Sequence, residues 1–272
     1  MSKSQLAAFT IVQNEDRFLD IWIDYYSKHI DKKDLYILNH DSSTPSSLES
    51  IERARASGVN IVPVHRFHSF DHEWLRSTVC QFQSFLLHSY SAVIFAEADE
   101  LIIPKLDAYK DGLRSYVLDK IGSKPDVIRC KGYSIEHLPS EELPIDFTKP
   151  LMAQRTYWKG TTIYDKPVVA SRPCTWILGF HNLAHTDLPV DNNLLLIHLH
   201  RLDYDYCKAA HREKAARAWN PHDINNSWGL QNSLHEGKAF DDWFFEGSVS
   251  GLGNQLRGGP RERIPHYMKD AF

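Results

Sequence analysis

The chain has no long apolar run, no block of basic residues and few cysteines. Its longest apolar stretches, such as Ala92–Ala96 and Leu194–Ile197, fall far short of the roughly 20 residues that cross a bilayer. A membrane-spanning helix is therefore excluded. Lys and Arg number 31 against 35 Asp and Glu, a formal charge of −4. Without a dense cationic face, sequence-independent binding of nucleic acid is excluded too. Cys80, Cys130, Cys174 and Cys207 stand far apart with no C-x-x-C pair. That spacing argues against a zinc ribbon and for reduced thiols in a cytoplasmic setting. Met1–Gln5 is polar and leads into a strand-like run, so no signal peptide is expected. Repeats and low-complexity linkers are absent, and residues 1–272 are expected to form one domain.

Imidazoles and aromatics are plentiful: 15 His, 7 Trp, 12 Tyr and 13 Phe. The first half alternates strand and helix patterns. Leu6–Val12 reads as a buried strand, followed by helix-start chemistry at Asn14-Glu15-Asp16. Phe18, Ile21, Trp22, Tyr25, Tyr26 and His29 then make one apolar stripe at helical spacing. Strands are expected at Leu35–Leu38 and Asn60–Val64, with a helix from about Ser47 to Ala56 stopped by Gly58. A longer helix is expected from Asp71 to His88, burying Trp74, Val79, Phe82, Phe85 and Leu86. Ala92–Ala96 is a fourth strand, apolar throughout, as at the centre of a parallel sheet covered on both faces. The pattern implies a doubly wound α/β layer.

The second half is less regular. Val127–Tyr133, Lys166–Ala170, Thr175–Leu178 and Asn193–Leu199 read as short strands, and Leu138–Pro150 as a Pro-studded excursion. Asp203 is placed to cap a helix running to about Trp219. Gly258-Gly259-Pro260-Arg261 suggests a loose tail.

Open α/β sheets bind ligands at the carboxyl ends of their strands. Those ends are Gln13–Asp16, Asn39–Ser43 and Glu97–Glu100, and all three carry carboxylates. If extended, Glu97 and Asp99 share one side of the chain. Hard oxygen donors of this kind suit Mg²⁺ or Mn²⁺ rather than zinc. A solvated acidic turn capping a strand is the plainer alternative.

Three stretches, taken in order, resemble the family 2-like glycosyltransferases with the GT-A fold, in a branch with an acidic-x-Asp-Glu signature. Ile11–Trp22 resembles that branch's Asn-Glu opening, Leu35–Ser43 its second strand with an Asp-x-Ser turn, and Val93–Pro104 its metal-motif strand. A fourth stretch, Leu194–Arg201, is similar to the late strand in which the branch carries a metal-binding histidine. There His198 is the matching residue and His200 its neighbour on the same strand face. The likeness covers roughly residues 6–105 and, more loosely, 165–210. Glu97 stands where the family commonly has Asp, and Gln13 where Lys or a similar residue is common.

The resemblance implies a GT-A-like α/β fold: a Rossmann-type, mostly parallel central sheet flanked by helices, with an irregular C-terminal half. It divides the chain into a donor-binding half of about 1–105, an acceptor and metal-completing half of about 106–220, and an extension of about 221–272. The implied activity is a metal-dependent, inverting, hexosyltransferase-type transfer from a UDP- or GDP-sugar to an acceptor hydroxyl in glycan or glycoconjugate biosynthesis. Asp99 and His198 would hold Mn²⁺ or Mg²⁺, and Glu100 would anchor the loop. Asn14, Glu15 and Asp41 would contact the donor nucleoside, and Glu97 would bind the donor at its ribose or reach the metal through water. An inverting transfer needs a base; His181, after Trp176–Phe180, resembles a Gly-x-His element of the branch, with Asp187 and Glu136 as rivals.

Other features carry plainer readings. His65 and His68 flank Phe67 near a strand end and suit loop carbonyls. His198-x-His200 alone suggests a zinc hydrolase, which would need further ligands. Trp219, Trp228 and Trp243 could stack on sugars, but buried core is commoner for such residues. Two other functions remain open: a non-catalytic nucleotide-sugar or glycan-binding module on the same fold, and a nucleotidyltransferase, which would release pyrophosphate. Peripheral membrane contact needs no spanning segment and stays open as well.

Overall fold

The computed structural model describes residues 4–65, 69–105, 112–123, 126–247 and 259–269. Phe67, His68 and Gly258, named above, lie outside these residues. In chain order the elements are β1 (Ser4–Val12), α1 (Arg17–Tyr26), β2 (Leu35–His40), α2 (Pro45–Ala56), β3 (Asn60–Val64), α3 (His72–Leu86), β4 (Tyr90–Phe95), β5 (Glu100–Pro104), α4 (Gly112–Ser123) and β6 (Val127–Ile135). They continue with β7 (Tyr157–Gly160), β8 (Pro167–Ala170), β9 (Val190–His198), α5 (Tyr204–Ala215), α6 (Pro221–Asn225), α7 (Gly237–Asp241) and β10 (Arg261–Arg263). The chain forms two compact units, one of residues 1–66, 73–131 and 165–196, the other of residues 67–72, 132–164 and 197–272.

The first unit is a mixed α/β layer. Strands run in the order β3-β2-β1-β4-β8-β6. β1 is parallel to both β2 and β4, and β2 is parallel to β3. This matches the parallel half expected from the alternating pattern. β4 departs from expectation on one side, because its other neighbour, β8, is antiparallel. Apolar continuity in β4 reports burial on both faces, which either strand direction satisfies. The core is built from the apolar faces of β1 and β4 against α3, with Phe9, Phe95, Val79 and Leu86 buried among Trp176 and Phe180.

Local chemistry sets the element ends. Asp16 Oδ1 accepts the Arg17 amide at 2.6 Å and starts α1. Pro45 opens α2 at a position where no amide donor is needed. Gly58, at φ +96°, lets the chain turn out of that helix into β3. On α3 the expected core position Phe85 is 67% exposed, and Trp74 and Phe82 are only half-buried. The buried positions are Val79, Gln83 and Leu86. Gln83 takes the inner face because its Nε2 donates to Arg172 O at 3.0 Å, satisfying loop backbone that a phenyl ring could not.

The expected strand Thr175–Leu178 is instead a narrow loop. A single bridge joins Trp176 to Leu183, and a short 3₁₀ turn covers Leu178–Phe180. Trp176 and Phe180 are buried, so the loop is pinned by its rings rather than by a ladder.

In the second unit, the end of β6 pairs antiparallel with β7, and β7 with β10. Arg261–Arg263 is therefore a strand where a loose tail is expected. Asp203 caps α5 as expected, accepting the Tyr206 amide at 3.0 Å, but the helix ends at Ala215. The Pro-studded excursion is organised by a buried guanidinium. Arg155 Nε donates to Leu202 O at 2.6 Å, Nη1 to Leu143 O at 3.1 Å, and Nη2 to Asp203 Oδ2 at 3.3 Å. Glu142 closes the same loop, accepting the amides of Leu138 and Thr156. Among the described residues no helix is long and apolar enough to cross a membrane.

Candidate functional site

Because β2, β1 and β4 are adjacent and parallel, their carboxyl ends emerge side by side, about 4.8 Å apart from strand to strand. Residues 13–16, 40–43 and 97–100 therefore share one edge of the first unit. The acidic clustering read from the sequence is a spatial fact there.

The first two loops are stapled together. Asn14 adopts the left-handed conformation at φ +55°, which short polar side chains tolerate. Its Oδ1 accepts the amides of Ser43 at 2.8 Å and Thr44 at 3.2 Å, and its own amide donates to Ser42 Oγ at 3.0 Å. Asn14 thus ties the loop after β1 to the loop after β2. Asp41, also left-handed at φ +50°, lies 2.7 Å from His65 Nδ1. Glu15 Oε1 accepts the Phe18 amide at 3.4 Å, at the start of α1. These donor-site candidates share one loop cluster, and each has a local structural partner.

Of the two geometries open for the third loop, extended or a turn, the chain adopts the turn. Glu97–Glu100 is a tight turn, with the Glu100 amide donating to Glu97 O at 2.9 Å. The Glu97 amide in turn donates to Glu100 Oε2 at 3.1 Å. Glu97 and Asp99 are gathered by a turn, not by strand alternation. The reason is Lys166, the residue before β8. Its Nζ lies 2.6 Å from Glu97 Oε2 and 2.6 Å from Glu100 Oε1. The Lys166 side chain is 3% exposed and that of Glu100 1%. Burial pushes the Glu100 carboxyl up to about 7 against the pull of Lys166, with Glu97 and Asp99 adding repulsion. The two carboxylates hold the Lys166 ammonium protonated, its pKa raised in spite of burial.

Lys166 is the site residue that sequence reading passes over. A lysine opening the wholly apolar run Pro167–Ala170 is its only local trace. The partners lie 66 or more positions away, beyond any spacing rule.

The base candidates separate clearly. His181 ends the 3₁₀ turn Leu178–Phe180, where Gly179 and Phe180 both have positive φ. It is half-buried at the head of the loop pinned by Trp176 and Phe180. Asp187 is 97% exposed and pairs with Arg129 at 3.2 Å, a surface contact. Glu136 belongs to the second unit, buried among three cations: Arg261 Nε at 2.9 Å, and Arg201 and Lys159 at 3.5 Å. Of these three contacts only the one from Arg261 is a hydrogen bond, and Glu136 Oε1 accepts none among the described residues.

His198 also lies in the second unit. It is buried at the end of β9, its ring 4.1 Å from that of Tyr164 and 5.5 Å from that of His200. Of the three tryptophans, Trp243 is buried in an aromatic cluster, while Trp219 and Trp228 are half-buried.

The donor chemistry of the first unit fits a hard divalent cation. It offers carboxylate oxygens at a half-exposed turn, in a loop held rigid by a buried lysine.

No protein-family model matches the sequence, and no curated protein matches it. Among solved structures the chain is similar to glucosyl-3-phosphoglycerate synthase from Mycobacterium tuberculosis in complex with Mn²⁺, UDP-glucose and glycerol 3-phosphate. That likeness has 18% identity, covers 47% of this chain and 44% of that one, and gives a TM-score of 0.32. The chain thus spans less than half the length of the synthase. It is also similar to S. aureus TarS (residues 1–349), at 12% identity over 90% of this chain and 76% of that one, with a TM-score of 0.38.

Proposed function

We propose that this protein is a divalent-metal-dependent glycosyltransferase that moves a sugar from a nucleotide-sugar donor to an acceptor hydroxyl with inversion. One observation carries the reading: three acidic loops emerge together at the carboxyl edge of the parallel strands. The order of the family-like motifs along the chain supports it. The metal-ligand roles of Asp99 and His198 rest on their motif positions. A divalent ion held there supplies charge neutralisation for the departing diphosphate.

The remaining chemistry belongs to the chain. Asn14 fixes the loop that faces the nucleoside, where Glu15, Asp41 and Glu97 offer acceptors to ribose hydroxyls and base N–H groups. Lys166 holds Glu97 and Glu100 in place and offsets their mutual repulsion. His181 is the proposed base, taking the acceptor hydroxyl's proton on an imidazole nitrogen. UDP- and GDP-sugars are the donors proposed.

The test is calorimetry of nucleotide binding with and without Mn²⁺. Asp99→Asn and His198→Ala should each abolish the Mn²⁺-dependent part while far-UV circular dichroism stays unchanged. Undiminished binding in both variants would overturn the proposal. The hold of Lys166 on Glu97 favours a second reading, a nucleotide-sugar-binding module without turnover. Donor hydrolysis or transfer in the presence of metal would eliminate that reading.

A further inference from the structure

The second unit holds a cluster that the proposed reaction does not use. Cys207 and His211 lie one turn apart on α5, a C-x₃-H spacing that puts both on one helix face. His200, in the turn that follows β9, reaches the same point. Its Nε2 is 2.8 Å from His211 Nε2, and the ligand atoms of His200, Cys207 and His211 all lie within 4.8 Å of one another. Cys207 and His211 are buried, and His200 is half-buried.

His211 Nδ1 lies 2.6 Å from Leu234 O. A carbonyl only accepts, so Nδ1 carries the proton and the Nε2 lone pair faces the cluster. Ligating histidines are oriented in this way, one nitrogen fixed by backbone and the other turned to the metal. Aromatic rings wall the site: Trp243 lies 4.5 Å from the His211 ring and 5.5 Å from the His200 ring, and Phe240 lies 5.5 Å from the His211 ring.

We infer that His200, Cys207 and His211 form a binding site for a zinc-class cation, separate in chemistry from the carboxylate turn. Two imidazoles and a thiolate select a soft or borderline transition ion and disfavour Mg²⁺ and Mn²⁺. Tetrahedral zinc places nitrogen and sulfur ligands about 3.3–3.7 Å apart. The two imidazole nitrogens therefore part by about half an ångström on binding, and the thiol closes toward them. Binding releases the Cys207 proton to solvent, and the His200 ring carries its proton on Nδ1 instead of Nε2. The fourth position, on the half-buried His200 side, is left to water. The ion would tie α5 to the end of β9 and, through Leu234, to the segment before α7.

The test uses the full chain, reduced and stripped with a chelator, then titrated with Co²⁺. One equivalent should give a thiolate-to-cobalt charge-transfer band in the near ultraviolet, with visible bands of tetrahedral intensity. Zn²⁺ should bleach both, and excess Mn²⁺ should not. Cys207→Ser should lose the charge-transfer band, and His200→Ala should lose the tetrahedral bands. Asp99→Asn and Cys130→Ser should keep both. His211 is fully buried, so its replacement is not needed for the decision; far-UV circular dichroism checks the Cys207 and His200 variants. Absence of the band in the unmodified chain, or its survival in Cys207→Ser, would overturn the inference and leave a hydrogen-bonded histidine pair.

Discussion

Lys166 shows how much a single buried charge organises at the acidic edge. It holds two carboxylates at 2.6 Å with its own side chain 3% exposed. Removing one partner of a buried ion pair leaves the other uncompensated. Lys166→Met should therefore cost about 3–5 kcal/mol in denaturant unfolding at about pH 8. Adding Glu100→Gln should recover part of that loss, because the orphaned charge is then gone. Glu100 also sets a pH dependence. Its folded-state pKa, about 7, lies above the ordinary 4.5. Between those values the folded state keeps a proton that the unfolded chain has released. Its contribution to stability is thus fully present below about 4.5 and is lost as pH rises toward 7. Urea midpoints measured across that window should fall, and Glu100→Gln should flatten the profile.

At the scale of elements, loops carry as much specification as strands. The loop after β1 depends on Asn14, which combines a left-handed backbone with two accepted amides. Asn14→Gly keeps the backbone freedom and loses the clamp, whereas Asn14→Ala loses both. Thermal denaturation should rank Asn14→Ala below Asn14→Gly, and both below the unmodified chain. The segment from Leu138 to Thr156 has little regular structure and is held by Arg155 and Glu142. Arg155→Met should cost about 3 kcal/mol or more, since Asp203 and several carbonyls lose a buried donor. Hydrogen exchange should rise across residues 138–156, while β1 and β4 keep their protection.

For the whole molecule, the expected signature is thermodynamic linkage. A donor that binds only the folded chain raises the melting temperature by mass action. A panel of UDP- and GDP-sugars should therefore give a shift that depends on Mn²⁺ in the unmodified chain and is lost in Asp99→Asn. The periodic patterns made the parallel half of the fold legible, because Leu6–Val12, Ala92–Ala96 and the α1 stripe each report burial directly along the chain. The acidic edge was legible for a similar reason: strand direction in an α/β layer places carboxyl ends together. The same local signals misplaced Phe85 and the partner of β4, and left the shape of Glu97–Glu100 open between an extended run and a turn. Each of those depends on a group distant in sequence, namely the Arg172 carbonyl, β8 and Lys166. Nearest-neighbour chemistry along the chain sets the alternation of elements, the helix starts at Asp16 and Asp203, and the gathering of carboxylates at three loops. Which charges neutralise one another and which ring nitrogens meet, as at Lys166 and at His200 with His211, is settled by packing between distant segments. Those pairings pit the cost of burying polar groups against the partners that packing supplies, and packing is not written in local spacing.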